Sequence, residues 1–116
     1  MLRHCSNFKL WILCTDKKAI KILNQLNLEK IQLLDLAKVE TAELLKVKEE
    51  RTVAEYCWTL TPFAPKFVFE ADSTIDRITY IDADIWFRKS PNPIFDELEE
   101  SGKSVLITEH SYAPEC

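Results

Sequence analysis

The sequence predicts an α/β fold, a mostly parallel sheet flanked by helices. Three observations carry this. Apolar, strand-like runs alternate with segments of helical periodicity along the 116 residues. The helical segments carry their own start and stop residues. The chain is 47% hydrophobic and 29% charged, the balance of a soluble globular domain of at most one core.

The elements follow in order. Phe8 to Cys14, "FKLWILC", reads as a largely buried strand. Asp16 can cap a helix that brings Ile20, Leu23 and Leu26 to one face. "KIQLLDL", residues 30–36, is a second strand. A helix from Thr41 to Glu50 offers Leu44, Leu45 and Val47 to the core. "RTVAEYCWTL" continues helical from Arg51, and a second helix starts near Pro62, with Thr61 as cap and Pro62 in the first turn, where no N–H is needed. "DRITYID", residues 76–82, is a third strand, rich in β-branched and aromatic residues. In "SPNPIFDELEESG", Asn92 caps, Pro93 opens the helix and Gly102 ends it. "SVLITE" is a fourth strand.

Composition excludes several classes. A net charge of −4 with no basic stripe speaks against nucleic-acid binding. No apolar run spans a bilayer, and no secretory leader is visible, so a cytoplasmic setting is expected. Cys5, Cys14, Cys57 and Cys116 are scattered, with no zinc spacing. Gly102 is the only glycine. A P-loop and a dinucleotide fingerprint both need several, so any phosphate must be held by side chains, a metal or a helix N-terminus.

"TYIDADIWF" is where chemistry concentrates. Asp82 and Asp84 would share one face of a straight strand with Cα atoms about 6.6 Å apart. That is too far for two carboxylates to meet one Mg²⁺ at about 2.1 Å, so the backbone turns or one aspartate acts through water or a ligand hydroxyl. Ile81, Ile85, Trp86 and Phe87 flank the pair, and partly buried adjacent carboxylates need a cation. A divalent metal site is therefore expected over a passive surface pair. Such a D-x-D serves metal-dependent glycosyltransferases, and also phosphotransferases of the haloacid dehalogenase kind, in which the first Asp is a nucleophile. The latter carry Thr or Val where Trp86 stands, and open their domain with the motif.

"EYCWTLTPFAPKFVFE", "TYIDADIWF", "SPNPIFDEL" and "LITEH" together resemble bacterial nucleotide-diphospho-sugar transferases of the GT-A fold, related to glycosyltransferase family 8. The resemblance implies a Rossmann-like donor-binding domain, Mn²⁺ or Mg²⁺ as cofactor, a nucleotide-diphospho-sugar donor and an unknown acceptor. It implies Asp84 as metal ligand, Asp82 reaching metal or donor ribose, and Arg51 facing the donor. An Arg51–Glu55 pair is the competing reading for that cation. Tyr56 and Trp58 either flank the nucleotide or belong to the core. His110 either lines the pocket or is merely exposed.

The same resemblance makes residues 1–116 a partial domain. The first strand, which would lie between "FKLWILC" and "ITYID", and the C-terminal acceptor half are expected to be missing. Marginal stability follows, and so does self-association through unpaired strands. The alternative function is that of an inactive fragment kept as an interaction module.

Overall fold

The computed structural model describes residues 4, 5 and 7–104 and divides the chain into two units: one spans 8–84, and the other comprises 85–104 with His4, Cys5 and Asn7.

The larger unit starts with β1 (Leu10–Cys14), α1 (Lys17–Gln25) and β2 (Ile31–Asp35). The strands are parallel, with Leu10 opposite Ile31 and Cys14 opposite Asp35. The α1 crossover is what parallel pairing requires, because a tight hairpin cannot return the chain in the same direction. Asp16 starts α1 as expected, its carboxylate accepting from the Ala19 N–H at 2.8 Å. Ile20 and Leu23 are half-buried, whereas Leu26 at the end of that face is exposed.

Four short helices complete the unit: α2 (Leu36–Val39), α3 (Ala42–Glu49), α4 (Val53–Leu60) and α5 (Phe63–Ala71). The α2 turn escapes sequence periodicity because it is four residues long; Asp35 caps it through the Ala37 N–H. Thr41, expected as the first residue of the helix, instead caps α3, whose first helical residue is Ala42; only Leu44 of its apolar residues is fully buried and Leu45 is exposed. α4 begins with a reciprocal box in which Thr52 and Glu55 each satisfy the other's backbone N–H. Pro62 occupies the cap position of α5 rather than its first turn, and no side chain caps the helix, so Thr61 does not play the expected role.

The core gathers where the sheet meets α3–α5. Leu34, Leu36, Leu44, Tyr56, Leu60, Phe67 and Val68 form it, with Trp11 and Leu13 packing from β1. Burying a side chain such as Leu44 or Phe67 contributes about 1.5–3 kcal/mol, so this small cluster carries most of the unit's stability.

The third expected strand does not form. Residues 75–82 take no regular secondary structure, and β1 and β2 pair only with each other among the described residues. A strand is held by a neighbour's ladder, and its β-branched composition cannot replace one. Instead the segment is attached by side chains: Ile75 and Ile78 pack against the core. Lys9 and Asp72 form an ion pair at 2.7 Å that ties the residue before β1 to the end of α5. The sheet is therefore parallel, as expected, but has two strands among the described residues.

The smaller unit carries α6 (Asn92–Ser101). Its start lies one residue earlier than expected, with Pro91 at the cap and Asn92 already helical. Gly102 ends it in the left-handed conformation, φ 62°, where lack of a Cβ removes the steric cost. The Cys5 thiol lies 3.8 Å from Asn92 Oδ1 as a weak donor. The expected strand over "SVLITE" falls almost wholly outside the described residues, as does His110.

Candidate functional site

The aspartate pair sits on a turn. Tyr80 donates its hydroxyl to Asp82 Oδ1 at 2.9 Å, which fixes the first carboxylate from two residues upstream. The chain then turns at Ala83–Asp84. The straight-strand separation therefore does not apply, and of the two routes open to the pair the backbone takes the turn.

Burial differs from expectation. Asp82 and Asp84 are both exposed, and the flanking Ile85 and Trp86 are 55% and 78% exposed. Water reaches the carboxylates, so desolvation does not by itself demand a cation, and that part of the argument from sequence falls. Among the described residues no three His, Cys, Asp or Glu side chains converge into a metal cage. Two turn-borne carboxylates suit an ion that keeps several waters and takes its remaining oxygens from substrate phosphates, the habit of Mg²⁺.

A second feature lies at the carboxyl ends of the two strands. A groove of about 240 Å³ opens there, bounded by Thr15 just after β1 and Leu36 just after β2. Lys48, Arg51, Val53, Tyr56 and Cys57 complete its lining. Neither aspartate lines it, so Arg51 and the pair are placed on different features. Arg51 does not pair with Glu55. Its guanidinium donates to the Thr59 hydroxyl, while Glu55 accepts from the Thr52 N–H at 2.9 Å and from the Thr52 hydroxyl at 2.7 Å. Those hydrogen bonds from Thr52, more than the charge of Arg51, hold the Glu55 carboxyl below its usual range.

Tyr56 and Trp58 separate. Tyr56 is 5% exposed and belongs to the core, whereas Trp58 is 73% exposed. The Tyr56 hydroxyl donates to Glu40 at 2.6 Å, and Lys48 donates to the same carboxylate oxygen at 2.8 Å. The Lys48 ammonium also stands over the Tyr56 ring, 5.1 Å from its centroid and inside the roughly 6 Å reach of a cation–π contact. Burial works against the Glu40 charge, but the hydrogen bonds from Lys48 and Tyr56 outweigh it and lower the pKa. Burial first, and then the Glu40 carboxylate, push the Tyr56 hydroxyl far up, so it stays a donor. Sequence reasoning missed this trio. Its one signal was a tyrosine on an apolar helix, which needs a partner for its hydroxyl when buried.

Comparison with known proteins gives two relatives in Bacillus subtilis (strain 168). The chain is 38% identical over 114 residues to uncharacterized protein YfnD, with 96% of this chain aligned, and 38% identical over 99 residues to uncharacterized protein YfnF, with 85% aligned. It spans about a third of the length of each, 35% and 32% respectively. No family model matches the chain, and no solved structure matches it.

Proposed function

We propose that this chain is a donor-binding segment of a nucleotide-diphospho-sugar transferase of the GT-A fold, with Asp82 and Asp84 holding Mn²⁺ or Mg²⁺. The observation that carries the reading is the turn at Ala83–Asp84, which frees two neighbouring carboxylates from a strand's fixed spacing and presents both to solvent. When bound, the ion would offset the charge of the nucleotide diphosphate as it leaves. The chain's own part is positional. Tyr80 holds Asp82 in one orientation, leaving Asp84 without that restraint. Arg51, whose guanidinium donates to the Thr59 hydroxyl, remains our candidate for contact with the donor.

The parallel βαβ unit supports the Rossmann-like half of this reading, because ligands in such sheets meet the carboxyl ends of the strands. The reading puts the chain in the cytoplasm. No helix among the described residues is long and apolar enough to cross a membrane.

Isothermal titration of the purified chain with UDP and with GDP, each with and without Mn²⁺, tests the proposal. Binding that requires both Mn²⁺ and Asp84, and disappears in Asp84→Ala, is expected. Equal binding by the wild type and Asp84→Ala would overturn it.

A further inference from the structure

We infer that the groove at the carboxyl ends of β1 and β2 is a metal-independent site for a small organic anion, a carboxylate or phosphate carried on a short apolar body. Neither Asp82 nor Asp84 lines this groove, so the inference stands apart from the metal reading and shares only Arg51 with it.

Two cations reach the groove from neighbouring positions: Lys48 in the last turn of α3, and Arg51 in the link between α3 and α4. Glu40 accepts one of the three ammonium donors of Lys48, at 2.8 Å, and the Lys48 side chain stays 46% exposed. That ion pair, with the Tyr56 ring beneath the ammonium, fixes where the charge sits. The Arg51 guanidinium gives a donor to the Thr59 hydroxyl out of the five it carries, and it forms no ion pair with a described residue.

No acidic residue lines the groove among the described residues, although several adjoin its lining in sequence. Most of these are already committed. Asp16 and Asp35 accept from the Ala19 and Ala37 N–H groups, and Glu55 accepts from Thr52. Asp16 and Glu55 also stand at the starts of α1 and α4, where the helix dipole offsets their charge. Glu49 and Glu50 are exposed, and water and salt screen them. The charge presented to the groove itself is therefore positive.

The rest of the lining selects for more than charge. Leu36, Val53 and Cys57 are apolar, and the Tyr56 hydroxyl is spent on Glu40. A mostly apolar wall with a few convergent polar groups is the make-up of a small-molecule site. A bare inorganic anion would leave that wall unused. At about 240 Å³ the groove falls below the roughly 300–1,000 Å³ of pockets that enclose drug-sized ligands, so its occupant is small.

An amide NMR titration of the wild-type chain in EDTA tests this, with benzoate and phenyl phosphate as probes and benzyl alcohol as the uncharged control. Saturable shifts centred on residues 48–57, Thr15 and Leu36 are expected with one or both anions, and much weaker ones with benzyl alcohol. Lys48→Gln and Arg51→Gln, each shown to be folded by a melting curve, should weaken binding about tenfold, as loss of a charge-assisted hydrogen bond implies. Asp84→Ala should bind the anions like the wild type, which separates this site from the metal reading. Absence of shifts at those residues, equal response to benzyl alcohol, or full binding by folded Lys48→Gln and Arg51→Gln would overturn the inference.

Discussion

Tyr80 and Asp82 are joined by a hydrogen bond of 2.9 Å, and the chain turns at the very next residue. The phenol thus sets the orientation of one carboxylate at the point where the backbone changes direction. Removing the hydroxyl while keeping the ring, Tyr80→Phe, isolates that effect. A net hydrogen bond to a charged group is worth about 1.5–3 kcal/mol at most, and less where water competes, as at this exposed site. We expect Tyr80→Phe to weaken Mn²⁺-dependent nucleotide binding several-fold while leaving the thermal midpoint unchanged. Calorimetry and a melting curve read the two separately.

Glu40 is the hub of the larger unit's polar contacts, accepting from Tyr56 and Lys48 on one oxygen. Tyr56→Phe removes one donor and leaves the carboxylate paired, so the expected loss is about 0.5–1.5 kcal/mol. Glu40→Ala leaves a buried hydroxyl without an acceptor and should cost more, about 1–3 kcal/mol. Urea unfolding at neutral pH ranks the two. The reverse order would remove Glu40 from that role.

The acid limb of stability has a definite sign. Hydrogen bonds from Lys9 and Thr74 bring the Asp72 carboxyl down to about 2, and Glu40 is also lowered. A carboxyl with a depressed folded pKa binds its proton more readily in the unfolded chain, so protonation favours unfolding. The stabilisation is present above the ordinary carboxylate range of about 4 and is lost as pH falls toward about 2. In Lys9→Met the largest cause is gone, and the urea midpoint should fall less steeply between those limits. Identical acid limbs for wild type and variant would contradict this assignment.

Thr52 and Glu55 close the start of α4 on each other. Thr52→Ala should lower stability by about 1 kcal/mol, the usual worth of a capping residue, and Thr52→Ser should restore most of it. Denaturant midpoints for the three proteins check the ranking. Glu55 should at the same time rise toward the ordinary carboxyl range in Thr52→Ala, which a titration by NMR would show.

The helices were largely legible in the sequence because their signals are local. Asp16 caps α1 and Gly102 terminates α6 as expected, each acting over three or four residues. The third strand was not, because its existence depends on a neighbour that residues 76–82 do not specify. Burial was legible in part. Tyr56 and Trp58 lie two apart on one helix, yet one is core and the other exposed, since only packing decides which face turns inward. The Glu40–Lys48–Tyr56 trio joins residues 8 and 16 positions apart and leaves no periodic trace. At the aspartate pair, the spacing problem was visible in the sequence and the turn that relieves it was one of two routes foreseen. The exposure of Ile85 and Trp86 was not, because apolar character alone does not bury a residue.

The central claim is that a divalent ion binds at Asp82 and Asp84. The most direct measurement is an amide NMR spectrum recorded as Mn²⁺ is added in the presence of UDP, because the paramagnetic ion broadens signals near its own position. Broadening centred on residues 80–86, and abolished in Asp84→Ala, is the result this account requires. Broadening spread over the acidic surface, or unchanged in Asp84→Ala, would contradict it.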